Sequence, residues 1–121
     1  VAGTKGAEFD ARLMRPPGFL EIVKTRSDSF SVPTLDAQLD ARGVGEIYLS
    51  GLDADYCVKQ TLAGARNRGY TVNVVRDAIA TSHATPLDEI VKGYQGRGAQ
   101  MKSLAQAISE LAPATKPEAK P

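Results

Sequence analysis

The stretch Glu46-Ile47-Tyr48-Leu49-Ser50-Gly51-Leu52-Asp53-Ala54-Asp55-Tyr56-Cys57-Val58 decides the reading of this chain. It runs from an apolar strand through a short Gly-containing turn into a helix start. Past the turn, Val58, Thr61, Leu62 and Ala65 recur at helical spacing and form one inward stripe. Cys57, the chain's single cysteine, opens that helix. A thiol there faces free backbone N–H groups and the positive end of the helix dipole, and both favour a nucleophilic thiolate. The plainer role of a lone cysteine is a small buried hydrophobe, and position alone leaves both roles open.

Working outward, Gly69 closes the helix and Tyr70 to Val75 reads as the next strand. Upstream, the strand of the opening stretch runs from Gly45 to Gly51. Before it, Pro33-Thr34 opens a helix with Thr34 as candidate N-cap, Leu35 and Leu39 inward and Gly43 as its stop. Phe19-Leu20-Glu21-Ile22-Val23-Lys24-Thr25 is a short apolar run suited to a buried strand. Downstream, Pro86 to Tyr94 reads as a helix with Leu87, Ile90 and Val91 inward. Ala99 to Met101 suits a short edge strand before a last helix from Ser103 to Leu111. Residues 1–17 are rich in Gly and Pro and read mostly as loop. The folded portion is expected to end at residue 111, and Ala112 to Pro121 is a Pro/Ala/Lys tail too poor in apolar residues to pack, expected to be disordered. Alternating strands and helices imply βαβ units and a parallel sheet. In such sheets ligands sit at the carboxyl ends of the strands. Lys24 ends one expected strand and Cys57 follows another, so both fall on that edge.

The totals narrow the classes. A chain of 121 residues suits one domain. A formal charge of +1 gives no reason to expect a nucleic-acid or membrane partner. No apolar run approaches the roughly 20 residues of a spanning helix, and no basic start followed by an apolar stretch marks a signal peptide. One cysteine forms no internal disulfide, so a reducing cytoplasm is the expected location.

The string Gly51-Leu52-Asp53-Ala54-Asp55-Tyr56-Cys57-Val58, followed by Thr61, Ala65, Asn67-Arg68-Gly69-Tyr70 and Val72-Asn73-Val74-Val75-Arg76-Asp77-Ala78, resembles the isochorismatase-like cysteine hydrolases. These include nicotinamidases, N-carbamoylsarcosine amidases and isochorismatases. The resemblance continues upstream through Gly3-Thr4-Lys5-Gly6-Ala7-Glu8, Ile22-Val23-Lys24 and Asp28-Ser29-Phe30-Ser31-Val32-Pro33-Thr34-Leu35, and fades after about Thr81. It implies an α/β fold: a three-layer, Rossmann-like parallel sheet with helices on both faces. It also implies hydrolysis of a small-molecule amide through a thioester on Cys57. Lys24 matches the family's catalytic lysine; the ordinary alternative is a lysine snorkelling into solvent at a strand end. The family's cis peptide maps to Leu52–Asp53, and its oxyanion donors to the N–H groups of Asp53 and Cys57. Phe30 matches an aromatic pocket residue of the family, and a place in the core is nearly as natural for it. Asp53 and Asp55 have a plainer reading as turn and cap residues, the cap being the more natural role for Asp55. Cys57 argues against the vinyl-ether branch, since isochorismatases often lack a cysteine there.

One element of the family pattern is missing. Its third catalytic residue is an aspartate ending the first strand, in an apolar-apolar-Asp-Met-Gln context, and no such segment precedes Val1. Asp10, Asp28 and Asp77 stand in other contexts. The chain thus reads as lacking the family's first strands, to be supplied by a complementing N-terminal segment or offset by homo-oligomer formation. The metal-binding residues of nicotinamidases would lie upstream as well. His83, the one histidine, suits a solvated loop, so neither metal nor other cofactor is expected in these residues. Two rival readings remain: a non-catalytic binding or scaffold domain with Cys57 packed, and a redox-sensing thiol.

Overall fold

The computed structural model describes residues 18–112. The expected N-terminal loop, the Gly3–Glu8 block, Asp10 and all of the tail past Ala112 lie outside those residues. In chain order the elements are a 3-10 turn Ser29–Ser31, α1 Pro33–Ala41, β1 Glu46–Leu52, α2 Cys57–Asn67, β2 Thr71–Ala80, α3 Leu87–Gly96, β3 Gln100–Lys102 and α4 Leu104–Leu111. The three strands form one sheet in the order β1-β2-β3, and both pairings are parallel. Ile47 faces Val72 and Leu49 faces Val74. Alternation along a strand then sends these four side chains to one face, where they join Val58, Leu62 and Ala65 of α2 and Ile90 and Tyr94 of α3. The opposite face carries Tyr48 and Val75 and receives α4, and Tyr48 Oη donates to Glu110 Oε1 at 2.5 Å. The fold is therefore α/β, a parallel sheet with helices on both faces.

Most elements form where their patterns put them. The α2 stripe of Val58, Thr61, Leu62 and Ala65 is buried along its whole length. The last helix begins with a capping box, in which Ser103 Oγ accepts from Gln106 N–H and the Gln106 side chain accepts from Ser103 N–H. Three details differ. The first helix has Val32, not Thr34, at its N-cap, because Pro33 takes the first helical position, where its missing N–H costs nothing. β2 continues to Ala80, since a register shift lets Gly51 and Leu52 pair with Ile79 and Ala80. Tyr94, beyond the inward set expected of α3, is almost wholly buried, and its hydroxyl donates to Ala54 O.

The expected strand Phe19–Thr25 is a correction. Residues 19–24 have no regular structure, and Val23 is 62% exposed. A strand forms by pairing with a neighbouring strand, and the sheet of the described residues, β1-β2-β3, does not include this segment. Among the described residues β1 is an edge strand. Beside it, Leu104, Ile108 and Leu111 of α4 are exposed along a groove of about 580 Å³.

Candidate active site

The end of β1 and the start of α2 build the site. Gly51 has φ +122°, a region closed to most side chains, and the following Leu52–Asp53 peptide is cis. Ala54 N–H donates to Ala80 O at 2.8 Å, which carries the β1–β2 pairing past that bond. Asp53 O accepts from Tyr56 N–H and Val58 N–H, both at 3.0 Å, so the turn closes directly onto α2. Cys57 is the first residue of α2, and its N–H is among those a helix leaves without an intrahelical acceptor.

The cap role expected of Asp55 is not formed, since the N-cap of α2 is Tyr56 and no side chain caps it; Asp53 instead braces the turn. Asp53 Oδ1 accepts from Asp55 N–H at 2.9 Å in the manner of an Asx turn. Its Oδ2 accepts from Ser82 N–H at 3.0 Å and Ser82 Oγ at 2.9 Å, with His83 Nδ1 at 3.0 Å. Asp55 instead pairs with Lys59 one turn on, at 3.9 Å. His83, read from sequence as a solvated loop residue, thus meets the turn before Cys57 and sets its ring edgewise to Tyr56, with 4.4 Å between centroids. Nothing in its sequence context signals this, because residues 53 and 83 meet only through the β1–β2 pairing.

Desolvation works to raise the Asp53 carboxyl. The N–H groups of Asp55 and Ser82 and the hydroxyls of Thr81 and Ser82 outweigh it and hold that carboxyl well below the usual carboxylate range. A group depressed in the folded state contributes stability that is present above its unfolded value and lost as pH falls through the folded one. The turn should therefore be fully braced above about pH 4 and loosen progressively below it. The amide resonances of Asp55 and Ser82, followed by NMR during acidification, should report this together. In Asp53→Asn that acid-side titration should vanish; its persistence would place the proton elsewhere.

Lys24 comes to the same place without a strand beneath it. Its Nζ lies 3.6 Å from Cys57 Sγ and donates to Arg26 O at 3.0 Å. The thiol is half-buried and opens on a cavity of about 160 Å³. Leu49, Leu52 and Val58 give that cavity apolar walls, while Ser29, Ser50 and Thr61 bring polar groups beside the Lys24–Cys57 pair. The arrangement sets a thiol beside a lysine side chain, in a space suited to a small molecule.

Other candidates are not brought there. Phe30 is 3% exposed and sits in the core, its ring 5.4 Å from that of Tyr70 and under the Arg68 guanidinium at 5.1 Å. It does not line the cavity; of its two sequence readings the core one describes its place. Asp28 caps the 3-10 turn through Phe30 N–H at 2.8 Å. Asp77 Oδ2 accepts from Leu104 N–H at 2.8 Å. Among the described residues no carboxylate lines the cavity, and no three His, Cys, Asp or Glu side chains converge as metal ligands. Ser29, Ser50 and Thr61 are the polar residues of the site that sequence reading passed over. The signal was present in Thr61, a hydroxyl four residues after Cys57 on an otherwise apolar stripe.

Fold and site together define an α/β protein with a thiol–ammonium pair at the carboxyl edge of a parallel sheet. Residues 1–115 match the isochorismatase domain, and the chain belongs to that family. A solved isochorismatase family protein from Desulfovibrio vulgaris superposes with a TM-score of 0.82 at 31% identity, over 93% of this chain and 59% of the other. The N-carbamoylsarcosine amidase of Thermoplasma acidophilum aligns at 34% identity with a TM-score of 0.58, over 66% of this chain and 45% of its own. An Arabidopsis thaliana protein named as a probable inactive nicotinamidase is 34% identical over 88 residues, 71% of this chain and 44% of that protein. The chain spans about half the length of the curated relatives it matches most fully. The family is one of hydrolases with several amidohydrolases among its members.

Proposed function

We propose that this chain carries the nucleophilic half of a cysteine amidohydrolase acting on a small C–N amide. The observation that carries the reading is the 3.6 Å approach of Lys24 Nζ to Cys57 Sγ within the cavity. Coulomb attraction at such a distance favours the charged sulfur nucleophile. Cys57 Sγ attacks the substrate carbonyl carbon, a C–S bond forms, and the carbonyl π electrons move onto oxygen. The N–H groups of Asp53 and Cys57 receive that oxygen. Collapse of the adduct breaks the C–N bond, the amine leaves with a proton, and water hydrolyses the thioester to return the thiol and a carboxylic acid. The thiol proton must pass to a base and back to the leaving amine. That base is a carboxylate on a segment paired at the open edge of β1, contributed from outside the described residues or by another chain.

The test supplies such a segment, an apolar strand ending in Asp, and measures ammonia release from nicotinamide and from an N-carbamoyl amine. Turnover that appears with the segment and disappears when its Asp is replaced by Asn supports the reading; no turnover on any small amide overturns it. Lys24→Met should slow iodoacetamide alkylation of Cys57 at neutral pH by roughly fivefold to tenfold. It should lower kcat/KM by about a hundredfold or more. An unchanged alkylation rate would place Lys24 outside the chemistry. A second reading, a non-catalytic domain of the same family, is favoured by the cavity's lack of a carboxylate among the described residues. It is separated from the first by that turnover assay.

A further inference from the structure

Lys24 needs an explanation that its own segment does not give. It lies in residues 19–24, which have no regular structure, and it is exposed. A lysine on such a backbone would sample many positions, yet its ammonium stands over Cys57. Lys24 Nζ also donates to Arg26 O, and the residues that follow, 27–30, are held by the face of α2 that carries Cys57. Thr61, one turn along, is 6% exposed. Its Oγ1 accepts from Ser29 N–H at 2.9 Å and lies 3.1 Å from Ser29 Oγ and 3.4 Å from Ser27 O. Farther along, Gly64 leaves room for Asp28: a Cβ at Gly64 would stand 2.5 Å from Asp28 Oδ1. Arg68 completes the row, with Nη2 donating to Phe30 O at 3.2 Å and Nη1 to Gly64 O at 3.0 Å. Residues 57, 61, 64 and 68 follow helical spacing, so one helix face bears the thiol and grips the segment that delivers the cation.

We propose that Thr61 is a positioning residue that, with the clearance at Gly64, fixes segment 24–30 so that the Lys24 ammonium stays over the Cys57 thiol. The inference rests on the reading of Lys24 and Cys57 as the chemical pair. Thr61 acts on the sulfur only through Lys24. A purely structural hydroxyl would alter stability but not the charge beside the thiol, and this difference can be measured.

The experiment is iodoacetamide alkylation of Cys57 in the 121-residue chain, followed from neutral to alkaline pH. Thr61→Val should slow alkylation at neutral pH roughly fivefold and leave the alkaline limit, where every thiol is ionised, unchanged. Thr61→Ser, which keeps the hydroxyl, should restore the wild-type profile. In a Lys24→Met background, Thr61→Val should add nothing further. Gly64→Ala provides a second route should Thr61→Val fail to fold. Alanine favours the helix, so circular dichroism should be retained while the Asp28 carboxylate, pushed off its bond from Phe30 N–H, loosens the segment and slows neutral alkylation as Thr61→Val does. A wild-type profile in Thr61→Val or Gly64→Ala, beside a slowed Lys24→Met, would overturn the positioning role and spare the pair. A wild-type profile in Lys24→Met would overturn the pair itself, and this inference with it.

Discussion

With the Asp-bearing segment supplied, Cys57→Ala is expected to abolish the proposed amide hydrolysis, lowering kcat by about four orders of magnitude or more. No other cysteine exists in the chain to take over, and neither Ser29, Ser50 nor Thr61, the hydroxyl residues of the cavity, is placed against Lys24 as the thiol is. The melting temperature should barely move, because the thiol is only half-buried and its removal leaves α2 packed through Val58, Leu62 and Ala65. Ammonia release and calorimetry on the same preparation would read both quantities. Substantial turnover in a folded Cys57→Ala would rule out the thioester route.

Leu62→Ala should destabilise the fold by about 3 kcal/mol. Leu62 is wholly buried in the cluster that joins α2 to the sheet and α3, where a deleted side chain leaves a cavity that neighbours fill only in part. Ile108→Ala on α4 is the matched control. Its side chain is 61% exposed, so its loss should cost less than about 0.5 kcal/mol in this chain. Urea denaturation of the two variants beside the parent would show the contrast. Near-equal losses would mean that the exposed side of α4 is covered in solution, by another copy or by the segment completing the sheet.

These two positions also show how sequence and tertiary structure divide the information. The stripe containing Leu62 and the Gly-containing turn before Cys57 were legible in the chain, because hydrophobic period and turn chemistry are local properties. From them follow the parallel α/β arrangement and the placing of Cys57 at the carboxyl edge. The Ile22-Val23-Lys24 resemblance marked the lysine, but its apolar run suggested a strand that does not form. Strand formation depends on a partner elsewhere in the fold, which a segment's own residues do not encode. Phe30 divides in the same way: an aromatic at that position suits pocket and core alike, and only the packing of Tyr70 and Arg68 around it decides for the core.

The sequence by itself determined the family, the element order from α1 onward and the candidate nucleophile, since each rests on residues close together in the chain. Tertiary structure alone decided that Asp53 is braced by Ser82 and His83, and that Lys24 reaches Cys57 from a segment tied to Thr61. Both are meetings of residues about thirty positions apart. Such contacts are set by parallel strand pairing and by how a loop closes over a helix, and a one-dimensional pattern does not specify either.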